Sequence, residues 1–77
     1  MKQVSIQLTS IQDVRDFVNL MASQTMDVDL TSGRYTVDAK SIMGIFSLDL
    51  LKPILLTAHS DDCDELMAAV EKFKVQE

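Results

Sequence analysis

Tryptophan is absent from this chain of 77 residues, cysteine, histidine and proline occur once each, and glycine occurs twice. Each scarcity excludes something. A single cysteine, Cys63, can form neither an intramolecular disulfide nor a multi-cysteine zinc site, so its expected role is that of a small hydrophobe near a helix start. The single histidine, His59, has no second His or Cys at ligand spacing. Basic residues are outnumbered, 7 Lys+Arg against 12 Asp+Glu, and the chain therefore lacks the basic face with stacking aromatics that nucleic-acid binding calls for. No apolar run is long enough for a signal peptide or a membrane span, and Met1-Lys2 leads directly into an alternating pattern. A soluble protein of the reducing cytoplasm is the expectation. So short a chain buries only about 60 to 65% of its unfolded surface, which predicts one domain over residues 1–77 and no large enclosed active site. A Gly-rich phosphate loop, a nucleophile elbow and paired catalytic carboxylates are all missing. Neither an enzyme nor a bound cofactor is expected.

What is present alternates between two periods. In Gln3-Val4-Ser5-Ile6-Gln7-Leu8 every second residue is apolar, which predicts a strand with one face toward a core. From Ile11 the spacing becomes helical, with Val14, Phe17, Val18, Met21 and Ala22 on one stripe and Thr9 or Ser10 available as the cap. Met26, Val28 and Leu30 then alternate again, and after Ser32-Gly33 so do Tyr35 and Val37. A two-residue turn at Ser32-Gly33 would pair Leu30 with Tyr35, Asp29 with Thr36 and Val28 with Val37. A short apolar helix entered at Ser41 runs toward Lys52-Pro53, which should stop it. Ile54-Leu55-Leu56-Thr57-Ala58 reads as a buried central strand. A last helix is predicted to begin in Ser60-Asp61-Asp62, with Asp62 and Glu65 as a capping box and Leu66, Met67, Ala69, Val70 and Phe73 as its core stripe. Helices that cannot bury their stripes on one another must cover one face of a sheet. The expected fold is α+β, an open-faced two-layer sandwich of a four-stranded antiparallel sheet covered by three helices.

The run Lys40-Ser41-Ile42-Met43-Gly44-Ile45-Phe46-Ser47-Leu48 carries the strongest functional signal. Ser41 stands where a serine caps a helix start, and where the free backbone N–H groups favour an anion; it is either a cap or a cap that can be switched. On so short a helix Ile42, Met43 and Phe46 cannot all face inward, so they read either as core or as an exposed recognition patch. This run resembles the regulatory-serine segment of HPr, the small histidine-containing phosphocarrier of the bacterial sugar phosphotransferase system. The similarity extends ungapped from Lys40 to about Thr57, with Lys52 also in register, and the order of elements is that of the HPr fold. The resemblance implies that Ser41 is phosphorylated by HPr kinase/phosphorylase and that the residues around it, Lys40, Ile42, Met43, Phe46 and Ser47, form a docking patch. Phosphate there would add about −1.5 to −2 charge beside the patch, with Lys40 placed to neutralise part of it.

The carrier histidine of that family, in a stretch like Gly-Ile-His-Ala-Arg-Pro, has no counterpart. The corresponding stretch here is Thr9-Ser10-Ile11-Gln12-Asp13-Val14-Arg15, and a glutamine amide is not a nucleophile at neutral pH. Ile11-Gln12 instead resembles the catabolite-repression paralogue of HPr, in which glutamine replaces the histidine while the regulatory serine is kept. The resemblance then implies a catabolite control type transcriptional regulator as a second partner, with no direct nucleic-acid contact and no metal. Two alternatives stay open: a divergent phosphocarrier still charged by enzyme I, and a plain interaction module in which Ser41 is only a cap. His59 reads as a solvated surface residue rather than a relocated phosphoacceptor or a metal ligand. The acidic group Asp61, Asp62, Asp64 and Glu65 reads as a solvated helix start rather than a cation site.

Overall fold

A computed structural model describes residues 1–75; Gln76 and Glu77, which the sequence assigns to the same domain, lie outside the described residues. The elements follow in the order β1 (Lys2–Ile6), α1 (Ile11–Ala22), β2 (Val28–Ser32), β3 (Tyr35–Asp38), α2 (Ile42–Phe46), β4 (Ile54–Ala58) and α3 (Asp64–Ala69), with a 3-10 turn at Glu71–Phe73. The sheet is antiparallel with strand order β1-β4-β2-β3. The apolar run Ile54–Ala58 is thus an interior strand, paired on both sides. Ile6, Leu30, Ile54, Leu56 and Ala58 from the sheet meet Val14, Phe17 and Met21 of α1, Leu66 of α3, and Phe73. Phe17 and Phe73 touch edge to face, with ring centroids 5.7 Å apart, a favoured aromatic geometry. Gln3, Thr31 and Thr36 occupy the opposite, open face, where Thr31 and Thr36 hydroxyls meet across the hairpin at 3.2 Å. This is the open-faced α+β sandwich expected of the sequence.

Several boundaries differ, each for a local reason. β1 stops at Ile6 rather than Leu8, because its partner strand is preceded by Pro53, which has no N–H to donate; the Gln7 N–H turns instead to the Phe73 carbonyl at 2.8 Å. Val75 donates to Ser5 and Lys74 bridges Ile6, so residues after Phe73 shield the outer edge of β1. The hairpin turn is Gly33-Arg34, not Ser32-Gly33, and the register is Leu30↔Val37, Thr31↔Thr36 and Ser32↔Tyr35. The shift of two residues preserves which side chains share a face. Gly33 has φ +58° while Arg34 does not have positive φ, so the glycine occupies the first central position, where a two-residue turn with one left-handed residue needs it. Tyr35, at the tip of an edge strand beyond the helices, is 71% exposed rather than core.

The short helix α2 ends at Phe46, well before Lys52-Pro53. The Ser47 hydroxyl and N–H both turn back to the Gly44 carbonyl and close it. The last helix begins late. Ser60 accepts from the Asp62 N–H in a local turn that leads away from a helix, Cys63 takes the cap position without a side-chain cap bond, and Asp62 with Glu65 forms no capping box. Cys63 is fully buried, so burying its thiol, not capping, decides where the helix starts. Ala22 and Met67, expected on core stripes, are exposed and half-buried respectively. Among the described residues no helix is long and apolar enough to cross a membrane.

Candidate functional site

Ser41 sits at the junction of β3 and α2. The turn that delivers it is held by Asp38, whose carboxylate accepts from the Lys40 N–H at 2.8 Å and whose carbonyl accepts from the Ser41 N–H at 3.0 Å. The Ser41 backbone is extended, φ −98° and ψ 101°, and its hydroxyl oxygen accepts from the Gly44 N–H at 3.2 Å. That is N-capping. Its carbonyl opens the helix by accepting from Ile45 at 3.0 Å. Ser41 is itself exposed, so the same oxygen that caps the helix faces solvent.

Gly44 is the residue that sequence reasoning passed over. Its peptide is gripped from both ends of α2, the N–H by Ser41 and the carbonyl by Ser47. A Cβ built there would stand 3.2 Å from both the Ser41 hydroxyl and the Val37 Cβ. Glycine therefore lets α2 lie close against β3 while Ser41 keeps its bond. Only Ile45 of the helix is fully buried; Ile42 is 36% exposed, Phe46 41% and Met43 77%. The choice between core and surface for these three thus resolves toward the surface, with Phe46 and Ile42 in part covered. Lys40 does not stand free beside Ser41: its ammonium donates to the Gln24 carbonyl at 3.0 Å, just past the C-terminal end of α1, where a helix favours a cation.

The stretch Thr9 to Arg15 forms the N-terminal turn of α1. Ser10 caps the helix by accepting from the Asp13 N–H at 3.0 Å. Asp13 reaches back to accept from the Thr9 N–H at 3.0 Å and the Thr9 hydroxyl at 2.8 Å. Those two donors, the backbone one foremost, hold the Asp13 carboxyl below its ordinary value. Ile11 and Gln12 are exposed first-turn residues, and the Gln12 amide donates to Asp16 at 2.9 Å. Between this turn and α2 lies an open groove of about 470 Å³, formed by residues 7–11 together with Phe46, Leu50 and Leu51. Leu51, 89% exposed, belongs to the surface patch although the sequence reading gave it no role. A signal existed: three of the four residues from Leu48 to Leu51, with their neighbour Phe46, are apolar, too many for a plain loop. The start of α1 and the exposed side of α2 therefore form one continuous surface.

His59 lies elsewhere. β1 and β4 are antiparallel, with Lys2 opposite Ala58, so His59 leaves the sheet at the end opposite the α1 start. It is exposed but not free: its Nε2 lies 2.7 Å from an Asp29 carboxylate oxygen, and its backbone N–H donates to the Asp27 carbonyl at 2.9 Å. The acidic group is likewise partly engaged, Asp61 with the N-terminal ammonium at 3.2 Å and Asp64 with Lys2 at 3.4 Å. Among the described residues no three His, Cys, Asp or Glu side chains are grouped to hold a metal ion.

Comparison with known proteins sets this geometry in context. Residues 13–75 match the family described as the PTS HPr component phosphorylation site. The fold is similar to the crystal structure of HPr-C-His from Thermoanaerobacter tengcongensis, 28% identical, TM-score 0.79, with 94% of this chain and 89% of that one covered. It is also similar to the phosphocarrier protein HPr from Bacillus anthracis, 27% identical, TM-score 0.73, with 96% and 94% covered. No curated protein sequence matches the chain.

Proposed function

This chain belongs to the HPr family of the phosphotransferase system, and from that premise we propose that it is a regulatory member of the family, signalling through phosphorylation of Ser41 and lacking the histidine carrier function. One observation carries the reading: the exposed hydroxyl of Ser41 adjoins the exposed Met43, Ile42 and Phe46 on one short helix, while the first turn of α1 offers Ile11 and Gln12 where a carrier needs an imidazole. The phosphoryl transfer is simple in its atoms. The Ser41 oxygen attacks the γ-phosphorus of ATP, loses its proton to a base of the kinase, and ADP leaves. The catalytic groups belong to the kinase, so the chain acts as substrate and messenger rather than as an enzyme.

The modification changes recognition by charge. The phosphoester adds about −1.5 to −2 charge beside an apolar patch, and a partner that met Met43 and Phe46 with apolar groups now gains from an Arg or Lys placed against Ser41. Lys40 is committed to Gln24, so it leaves that charge for the partner to neutralise. The partners in this reading are HPr kinase/phosphorylase, docking through Lys40, Ile42, Met43, Phe46 and Ser47, and a transcriptional regulator of the catabolite control type, both cytoplasmic. A two-arm assay tests it. Incubation with HPr kinase and ATP should give acid-stable phosphate, and incubation with enzyme I and phosphoenolpyruvate should give none. Acid-labile phosphate in the second arm would instead make the chain a divergent phosphocarrier.

A further inference from the structure

We propose that Met43 is a site of reversible oxidation: a peroxide converts its thioether to the sulfoxide, and the oxidised chain is a poor substrate for phosphorylation at Ser41. The second half of the proposal rests on the reading of Ser41 as a kinase target; the first half does not.

Access singles out one sulfur. The chain has five methionines and one cysteine. Met21 and Cys63 are buried in the core, and Met26 and Met67 are half-buried and packed against it. Met1 is exposed, but it opens β1, at the far edge of the sheet from β3, with its ammonium on Asp61 at 3.2 Å. Met43 is the most exposed of the five, at 77%. It lies two residues after Ser41, and since Ile45 two residues further on is turned into the core, Met43 stands on the outer side of α2. Cysteine is ordinarily the readier target of an oxidant, but a thiol as shielded as Cys63 does not intercept it here.

The reaction asks nothing of the protein except that access. A lone pair on the Met43 sulfur attacks one oxygen of hydrogen peroxide, the O–O bond breaks, and its electron pair leaves with the other oxygen as hydroxide. The proton still carried by the transferred oxygen passes to that hydroxide, so the products are the sulfoxide and water. Sulfur is oxidised by one electron pair and the peroxide is reduced by it. A thiol-dependent methionine sulfoxide reductase reverses the change.

The consequence falls on recognition rather than on the fold. Sulfoxide formation adds a strong hydrogen-bond acceptor without net charge to a side chain that contributes little to the core, so the chain stays folded. Ser41 and Met43 are within one turn of each other, and an enzyme that reaches the Ser41 hydroxyl meets Met43 as well. Pressed into an apolar contact, the S–O group loses water and gains no partner.

The test treats the full chain with hydrogen peroxide, removes the peroxide with catalase, maps the added oxygen by mass spectrometry, and only then adds HPr kinase and ATP. Met43 should oxidise at least tenfold faster than Met21, Met26 and Met67. The Met43 sulfoxide chain should melt as the parent does but be labelled at Ser41 at least tenfold more slowly, and a methionine sulfoxide reductase with thiol should restore the rate. Met43→Leu, compared with its own untreated sample, should lose no labelling on peroxide treatment; because Met1 remains oxidisable in that variant, the comparison also discounts it. Oxidation of Met26 or Met67 as fast as Met43, unchanged labelling of a chain fully oxidised at Met43, an equal loss in Met43→Leu, or a melting point lowered enough to explain the loss would overturn the proposal. Failure of the kinase to label even the untreated parent is a different result: it removes the regulatory reading and the coupling with it, while the mass-spectrometric ranking still decides whether Met43 is the reactive sulfur.

Discussion

Replacing Met43 by Glu separates stability from recognition on α2. Burying a Met side chain fully is worth about 1.5 to 3 kcal/mol, but Met43 keeps 77% of its surface exposed, so the packing at stake is about a quarter of that, below ~1 kcal/mol. Met and Glu have nearly the same helix propensity. A carboxylate in the first turn of a helix is favoured, by about 0.3 to 1 kcal/mol. These terms oppose, and the net change should stay within about 0.5 kcal/mol. In a domain of this size 1 kcal/mol moves the melting temperature by ~4–8 °C, so calorimetry should record a shift of less than about 4 °C. Binding is another matter. A carboxylate at the centre of an apolar contact is desolvated without a partner, which costs about 2 kcal/mol or more and so roughly 30-fold in affinity, readable by titration calorimetry against HPr kinase. Ile45→Ala is the contrast, since Ile45 is fully buried and its truncation should cost about 2 to 5 kcal/mol. An unfolded Met43→Glu protein, or one that binds the kinase as tightly as the parent, would refute the reasoning.

Three other substitutions probe the supports of the site. Gly44→Ala should lower stability by about 1 kcal/mol despite the better helix propensity of alanine, because the new methyl meets the Val37 Cβ and the Ser41 hydroxyl at 3.2 Å; a higher melting point would show that β3 yields. Asp13→Asn should destabilise near neutral pH and progressively less in acid. The native carboxyl is held below its ordinary value, so its contribution is present above the unfolded value and is lost as pH falls through the folded one; urea titrations of both proteins across that range check the sign, and a difference that grows in acid would contradict it. His59→Ala removes a half-exposed contact with Asp29, which should cost no more than about 1 kcal/mol by denaturant titration. It should leave kinase labelling of Ser41 untouched.

Much of this arrangement is legible in residue periodicity, because the sheet has one wet face and α1 a single buried stripe. Val4, Ile6, Val28, Leu30 and Val37 announce their faces by alternation, and Val14, Phe17 and Met21 by helical spacing. What escaped prediction lies where tertiary bonds compete with local ones. The turn moved to Gly33-Arg34 because the left-handed residue must come first, a distinction that a Ser-Gly-Arg string leaves open. The start of the last helix moved because Cys63 is buried, which depends on the whole core. At the site, the capping role of Ser41 follows from its place before an apolar helix, and it is what the geometry shows. The engagement of Lys40 with Gln24 joins residues 16 positions apart, and the groove joins residues 7–11 to 46–51; neither pairing leaves a mark in local sequence. Leu51 was passed over for that reason.

The central claim is that Ser41 is the residue through which this chain signals. Its most direct test is mass-spectrometric mapping after incubation with HPr kinase and ATP, on the parent chain and on Ser41→Ala. One phosphate on Ser41 of the parent and none on the variant is the predicted result, with the variant less stable by about 0.5 to 2 kcal/mol through the lost bond to the Gly44 N–H. Stoichiometric phosphate on Ser47 or Ser60 of the variant, or an unmodified parent chain under conditions that fully label a histidine-containing HPr, would contradict it.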